Sequence, residues 1–157
     1  MIDLPCSEHR HWNMSRIKGK NTKPEMLVRS ILHRHGYRFR LNVATLPGKP
    51  DIVLPKYKVA IYVHGCFWHM HGCNNSRIPV TRHDWWKEKL ESNVQRDQRN
   101  IDGLNTLGWK VLVIWECQFR RLSQMKLKTS EENLIHDLVH LIGPDTSGSV
   151  HDPPNKC

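Results

Sequence analysis

Between Thr22 and Gly36 the apolar residues Met26, Leu27, Ile31 and Leu32 fall on one side of a period of about 3.6, which predicts an amphipathic helix. Thr22, an early Pro24 and Glu25 three positions after the Thr form the pattern of a capping box, so this helix should start at Thr22 and stop at Gly36. The period drops to two in "YRFRL". The stretch "DIVLPKYKVAIYVHG" then reads as two strands joined by a turn at Pro55 to Lys58. From His83 to Leu107 the residues Trp86, Leu90, Val94, Ile101 and Leu104 recur at helical spacing among charges, predicting a long amphipathic helix. The run "WKVLVIWEC" is nearly continuously apolar and rich in β-branched residues, the pattern of a strand buried on both faces. A last helix is expected over residues 130–142. Helix, strands, helix, strand, helix is the order of an α/β sandwich around a mixed central sheet.

Length sharpens this to one domain, since 157 residues suffice for one core and are few for two. That domain should span residues 1–142. Within it, residues 1–21 form a polar, basic arm carrying Arg10, Arg16, Lys18 and Lys20, expected to order on a partner. Beyond it, "GPDTSGSVHDPPNKC" (143–157) has almost nothing to bury and reads as a disordered tail. Charge narrows the partner: 24 Lys and Arg against 15 Asp and Glu give a net +9 and point to a polyanion, nucleic acid ahead of membrane. No apolar run approaches the roughly 18 residues of a membrane span. With no signal peptide in the first twenty residues, the expected compartment is the cytoplasm, where thiols stay reduced.

Reduced thiols change how the five cysteines are read. Cys6 and Cys157 fall in the arm and the tail. Cys66, His71 and Cys73 make a C-x4-H-x-C cluster, and Cys117 ends the buried strand as a fourth ligand, the composition of a closed structural Zn2+ site. Ordinary buried thiols are the plainer alternative, and a thiol redox role lacks its C-x-x-C motif. His69 is left over by this count and is free for chemistry. Asp51 opens one strand of the hairpin while His64 closes the other, which puts a carboxylate able to bind Mg2+ beside a histidine able to take a proton from water. His69 would give a proton to a leaving oxygen. Read alone, Asp51 is a turn residue and His64 a strand-end histidine. Aromatic rings form a third group. Trp109 and Trp115 belong to a core, and Trp85 and Trp86 begin the long helix. Phe67 and Trp68 lie in the loop a metal would pin, where they could wedge between bases.

Four stretches, "NTKPEMLVRSILHRHGYRFR", "LPGKPDIVLPKYKVAIYVHGCFWHMHGC", "NVQRDQR" and "LGWKVLVIWEC", resemble the very short patch repair endonucleases, over about Met14 to Cys117. The resemblance implies a fold like that of type II restriction endonucleases, with a degenerate acidic motif at Pro50-Asp51 and Tyr62-x-His64. It implies a monomer that nicks double-stranded DNA 5′ of the T in a T:G mismatch left by deamination of 5-methylcytosine. The implied associates are a cytosine-5 DNA methyltransferase, accessory mismatch-repair proteins and the bacterial nucleoid, and no membrane. Two Mg2+ ions would be held by Asp51 and the Val63 backbone carbonyl, with Glu25 reaching them through water. His64 would activate water and His69 serve the leaving group. Cys66, His71, Cys73 and Cys117 would hold structural Zn2+. Phe67, Trp68 and Trp86 would intercalate from the major groove, Met14 and Ile17 would lie in the minor groove, and Lys89 and Asn93 would read base edges. Val63 stands where the best-known member has a Thr, Met70 and Gly72 interrupt a histidine run, and Trp85 replaces a Phe. Two rivals remain open: a zinc-finger-like DNA-binding module, which would need neither Asp51 nor His64, and a standard restriction endonuclease, which would cut both strands.

Overall fold

The computed structural model describes residues 20–119 and 124–142. Met14 and Ile17 lie outside the described residues, with the rest of the arm before residue 20 and the tail 143–157.

Helix α1 (Lys23–Arg34) begins where the sequence predicts. The Glu25 N–H donates to Thr22 Oγ1 at 3.4 Å, and the Glu25 carboxylate accepts from the Asn21 N–H and from the Thr22 hydroxyl. It ends in a Schellman arrangement: Gly36 sits at φ +79°, and the N–H groups of Tyr37 and Gly36 return to the carbonyls of Leu32 and His33. Val28, Ile31 and Leu32 are fully buried, whereas Met26, expected on that side, is half exposed.

Strands β1 (Arg40–Leu41), β2 (Ile52–Leu54), β3 (Val59–His64) and β4 (Lys110–Trp115) form one sheet in the order β1-β2-β3-β4. The first two pairings are antiparallel and β3 to β4 is parallel, so the sheet is mixed as predicted. The β2–β3 turn falls at the expected place, as a single 3-10 turn, Pro55–Tyr57, closed by Lys58 at φ +50°. A parallel pair needs a long crossover, and α2 (His83–Thr106) provides it. Helix α3 (Gln124–Ile142) starts earlier than expected. Its last carbonyls, Leu141 and Ile142, accept from Lys110 Nζ at 2.7 and 2.9 Å, a cation placed at the negative end of a helix.

Alternation along β3 sorts the core. Val59 and Ile61 join α1 and α3 through Val28, Ile31, Leu134 and Leu138, while Ala60 and Tyr62 face α2 through Leu104 and Ile101. His64 is in phase with Ala60 and Tyr62, so it ends β3 on the α2 face.

Two expectations need correction. β4 is not buried on both faces: it lies at the sheet edge, and of its residues only Ile114 is buried. β3, with a neighbour on each side and helices over both faces, takes the buried position. On α2, Val94 is exposed, while Asn93 is buried between Leu90 and Leu104. The inward stripe of that helix is partly polar, and its polar section faces the end of β3.

Candidate functional site

The register pairing Ile52 with Ile61 carries Asp51, the residue before β2, to the far end of β3. There its Oδ2 accepts the Val63 N–H at 2.8 Å. The approach is set by "LPGK", a turn closed by the Lys49 N–H to the Leu46 carbonyl, with Pro47 and Gly48 at its centre. Gly48 has φ +68°, and a Cβ there would lie 2.6 Å from both Asn100 and the Tyr62 hydroxyl. That hydroxyl donates to the Pro47 carbonyl at 2.8 Å, fastening the turn to β3. Glu25 lines the same cleft of about 1220 Å3 with Asp51, His64, His69 and Asp97. Arg29 holds Glu25 Oε2 at 2.9 Å, and both side chains are buried.

Burial pushes the Asp51 carboxyl up to about 6; the Val63 N–H opposes this, and the nearby Glu25 adds to it. Burial also lowers His64 to about 4, helped by the adjacent His69. The two imidazoles stack with centroids 3.8 Å apart and planes within 5°. His69 Nδ1 is hydrogen-bonded to Asp97 Oδ2, which leaves Nε2 as the nitrogen open to proton transfer. The cleft therefore holds a carboxylate, a histidine that is neutral at pH 7 and a second histidine held by a carboxylate.

The predicted metal cluster is assembled next to it. Cys66, His71, Cys73 and Cys117 each offer a donor atom, and all four lie within 4.8 Å of one another. Ligands tetrahedral about Zn2+ sit about 3.8 Å apart when all are sulfur, so the set fits that ion after small closing movements. Burial pushes the Cys66 thiol up to about 12, whereas the Asn75 N–H brings Cys73 down to about 7. A thiolate-binding metal would displace both protons. Cys117 lies in the 3-10 turn Glu116–Gln118 after β4, and Glu116 Oε1 accepts the Cys66 N–H at 3.2 Å, so β4 and the loop are joined at two points. Trp115 stacks on His71 at 4.2 Å rather than lying in the main core.

Phe67, Trp68 and Trp86 form one aromatic group, with centroid separations of 5.1, 5.3 and 6.0 Å, and all three are half-buried. Trp85 joins it edge-on at 4.9 Å, under the Arg82 guanidinium. Lys89 is exposed on α2. Asn93, one turn later, is buried, and both ends of its amide are used within the protein: Nδ2 donates to the Trp68 carbonyl at 3.1 Å, and Oδ1 accepts from Arg96 at 3.3 Å.

Asp97, Asn100 and Glu116 also line the cleft, and the motif "NVQRDQR" alone assigns Asp97 no role. The available signal was polar residues inside a helical stripe: Asn93, Asp97 and Asn100 share the face of Leu90, Ile101 and Leu104. A polar residue in a buried stripe needs a partner, and here the partners are the site.

Residues 2–75 match the family model described as DNA mismatch endonuclease Vsr. The chain is 45% identical over 128 residues to the type II nicking enzyme V.XorIIP of Xanthomonas oryzae, covering 82% of this chain and 94% of that one. It is 45% identical over 120 residues to the type II nicking enzyme V.NmeAIP of Neisseria meningitidis, covering 76% and 86%. To the DNA mismatch endonuclease Vsr of Escherichia coli it is 40% identical over 134 residues, covering 85% and 86%. With such identity over most of its length, the chain belongs to the Vsr family of DNA mismatch endonucleases.

Proposed function

We propose that this protein is a nicking endonuclease that hydrolyses the phosphodiester 5′ of the T in a T:G mismatch, within a sequence context set by a partner cytosine-5 methyltransferase. The reading extends to a restriction-endonuclease-like fold, a monomeric enzyme, and action on the bacterial chromosome alongside mismatch-repair proteins. The observation that carries it is the single cleft in which Asp51, His64 and the His69–Asp97 pair converge beside an aromatic loop.

Asp51 and the Val63 carbonyl would hold Mg2+, with Glu25 acting through water; Asp51 has one oxygen committed to the Val63 N–H and one left over. A divalent ion at such a site neutralises phosphate charge and acidifies water. His64, uncharged at neutral pH, accepts the proton of the attacking water. His69, held by Asp97, gives one from Nε2 to the leaving oxygen. Stacked imidazoles do not both carry charge at low cost, which separates base from acid. Cys66, His71, Cys73 and Cys117 would hold Zn2+ with no chemical role, fixing the loop that presents Phe67 and Trp68. Those rings, with Trp86, enter the duplex at the mismatch, and the exposed Lys89 reaches base edges.

The test is strand-specific cleavage in Mg2+ on duplexes carrying one T:G mismatch in a library of flanking contexts, with T:A duplexes as control. The expected product is a single nick 5′ of the mismatched T, lost in Asp51→Asn while mismatch binding persists. Cutting of both strands in T:A duplexes would overturn the proposal, as would full activity in Asp51→Asn.

A further inference from the structure

Resting on that reading, we infer that Lys49 is a substrate-binding residue that holds a phosphate of the nicked strand beside the scissile one, and that its rigid turn thereby sets which bond lies over Asp51. Lys49 lines the cleft and is exposed. Four acids share that cleft, Glu25, Asp51, Asp97 and Glu116, and two of them have partners of their own: Glu25 pairs with Arg29 and Asp97 with His69. Among the described residues Lys49 has no carboxylate within ion-pairing distance, although Asp51 follows it by two positions. Arg96, the cation that lines the cleft from α2, gives one N–H to the Asn93 amide. The Lys49 ammonium is a compact charge with three donors to place.

The backbone beneath that charge is fixed on every side. The Lys49 N–H closes the turn on the Leu46 carbonyl at 3.1 Å, and the Tyr62 hydroxyl donates to the Pro47 carbonyl at 2.8 Å. Pro47 meets α2 at Gly103, where a Cβ would stand 3.3 Å from the proline ring, and Gly48 meets Asn100 and Tyr62. Pro50 is fully buried. Lys49 itself stands at φ +51°, a left-handed conformation that is unfavourable for a lysine, and the proline after it favours extended backbone. Nothing local selects a lysine for that position, so the strain points to what its side chain does. A cation with no acid partner in an acidic cleft suits an anion that arrives with the substrate, and a duplex brings phosphates. Two residues of chain span at most about 7 Å, so Lys49 works close to Asp51. The cation on Asp51 would cover the scissile phosphate and repel an ammonium beside it, which directs Lys49 to a neighbouring phosphate. The stiff turn keeps the two contacts in step.

The test is duplex binding, without Mg2+ so that no strand is cut, in the flanking context that the parent protein nicks. Lys49→Gln should weaken T:G and T:A duplexes alike, by about tenfold, and lower the slope of log affinity against log salt by about one. Duplexes carrying one uncharged methylphosphonate at each backbone position around the scissile phosphate, on either strand, then locate the contact. At one position, on the nicked strand and within two nucleotides of the scissile phosphate, the methylphosphonate should weaken binding by the parent and leave Lys49→Gln almost unaffected. Lys49→Arg keeps the charge and should restore that sensitivity. Parent-like affinity in Lys49→Gln overturns the inference, and so does a methylphosphonate pattern shared by parent and variant, or a matched position on the uncut strand. A loss confined to the T:G duplex also overturns it, by making Lys49 a reader of bases. If Lys49→Gln fails to fold, by circular dichroism, Lys49→Met serves in its place with the same expectations. Absence of any nick by the parent in Mg2+ sinks the function and the inference together; a nicking parent with no position matched to Lys49 sinks the inference alone.

Discussion

Asp51 must be ionised to hold a cation, yet burial favours its neutral form and places its titration near pH 6. At low Mg2+, single-turnover nicking should therefore rise about tenfold per pH unit up to about 6 and level off above it. His64 titrates near 4, so it is already a base across that range and adds no second limb. Saturating Mg2+ should move the midpoint down, because the cation favours the carboxylate. A pH–rate profile from 5 to 8 at two Mg2+ concentrations checks this, and a midpoint that ignores Mg2+ would separate Asp51 from the metal. The stability linkage has a definite sign. Asp51 has a folded pKa above its ordinary 3.8, so its contribution is full below that value and lost as pH rises through about 6. His64, depressed from 6.5, contributes above that value and loses it as pH falls toward 4. Mg2+ should accordingly raise Tm more at pH 7 than at pH 5. At this scale the sequence was legible where chemistry and register coincide. A hairpin of the observed turn carries Asp51 to the end of β3. Asp97 was not legible, because its meaning depends on a loop 28 residues earlier reaching it.

The cysteine cluster brings the loop after β3 against the turn after β4 beside the cleft. The parallel β3–β4 pairing ends at His64 and Trp115, and Cys66 and Cys117 each follow by two residues. A metal held there would close the open end of that pair. Cys73→Ser should abolish stoichiometric zinc and lower Tm by several degrees, checked by metal analysis and thermal melting; unchanged stability in a zinc-free variant would count against a structural centre. The N-terminus of α1 offers a separate measure. Thr22→Ala removes the hydroxyl that caps Glu25 and should cost about 1 kcal/mol in denaturant unfolding. It should also loosen Glu25 in the cleft and slow nicking. The start of α1 and the hairpin were read from sequence because caps and turns are local. The burial of β4 was misread for the opposite reason: an apolar run reports what a strand tolerates, and its place at the sheet edge is decided by β3, some fifty residues away.

Over the whole molecule, a basic balance surrounds a cleft in which four acids gather beside Lys49 and Arg96. The cleft holds Glu25, Asp51, Asp97 and Glu116, while the chain carries a net +9. The fold class and the polyanion partner were legible from composition and periodicity; the position of the acids at one end of β3 needed the folded chain. A duplex held by Lys and Arg over its phosphates releases counterions, so affinity must fall steeply with salt. If six or more phosphates are engaged, binding should weaken by about 10³-fold or more between 50 and 200 mM salt. On the proposed reading, mismatch recognition by Phe67, Trp68 and Trp86 would rest on stacking, which carries no net charge. The ratio of affinities for T:G and T:A duplexes should then stay constant across that range while both fall. Fluorescence anisotropy with the two labelled duplexes measures both quantities at once. A ratio that collapses with salt would assign discrimination to Lys89 and its charged neighbours instead of the rings, and a flat affinity would remove the basic surface from DNA binding altogether.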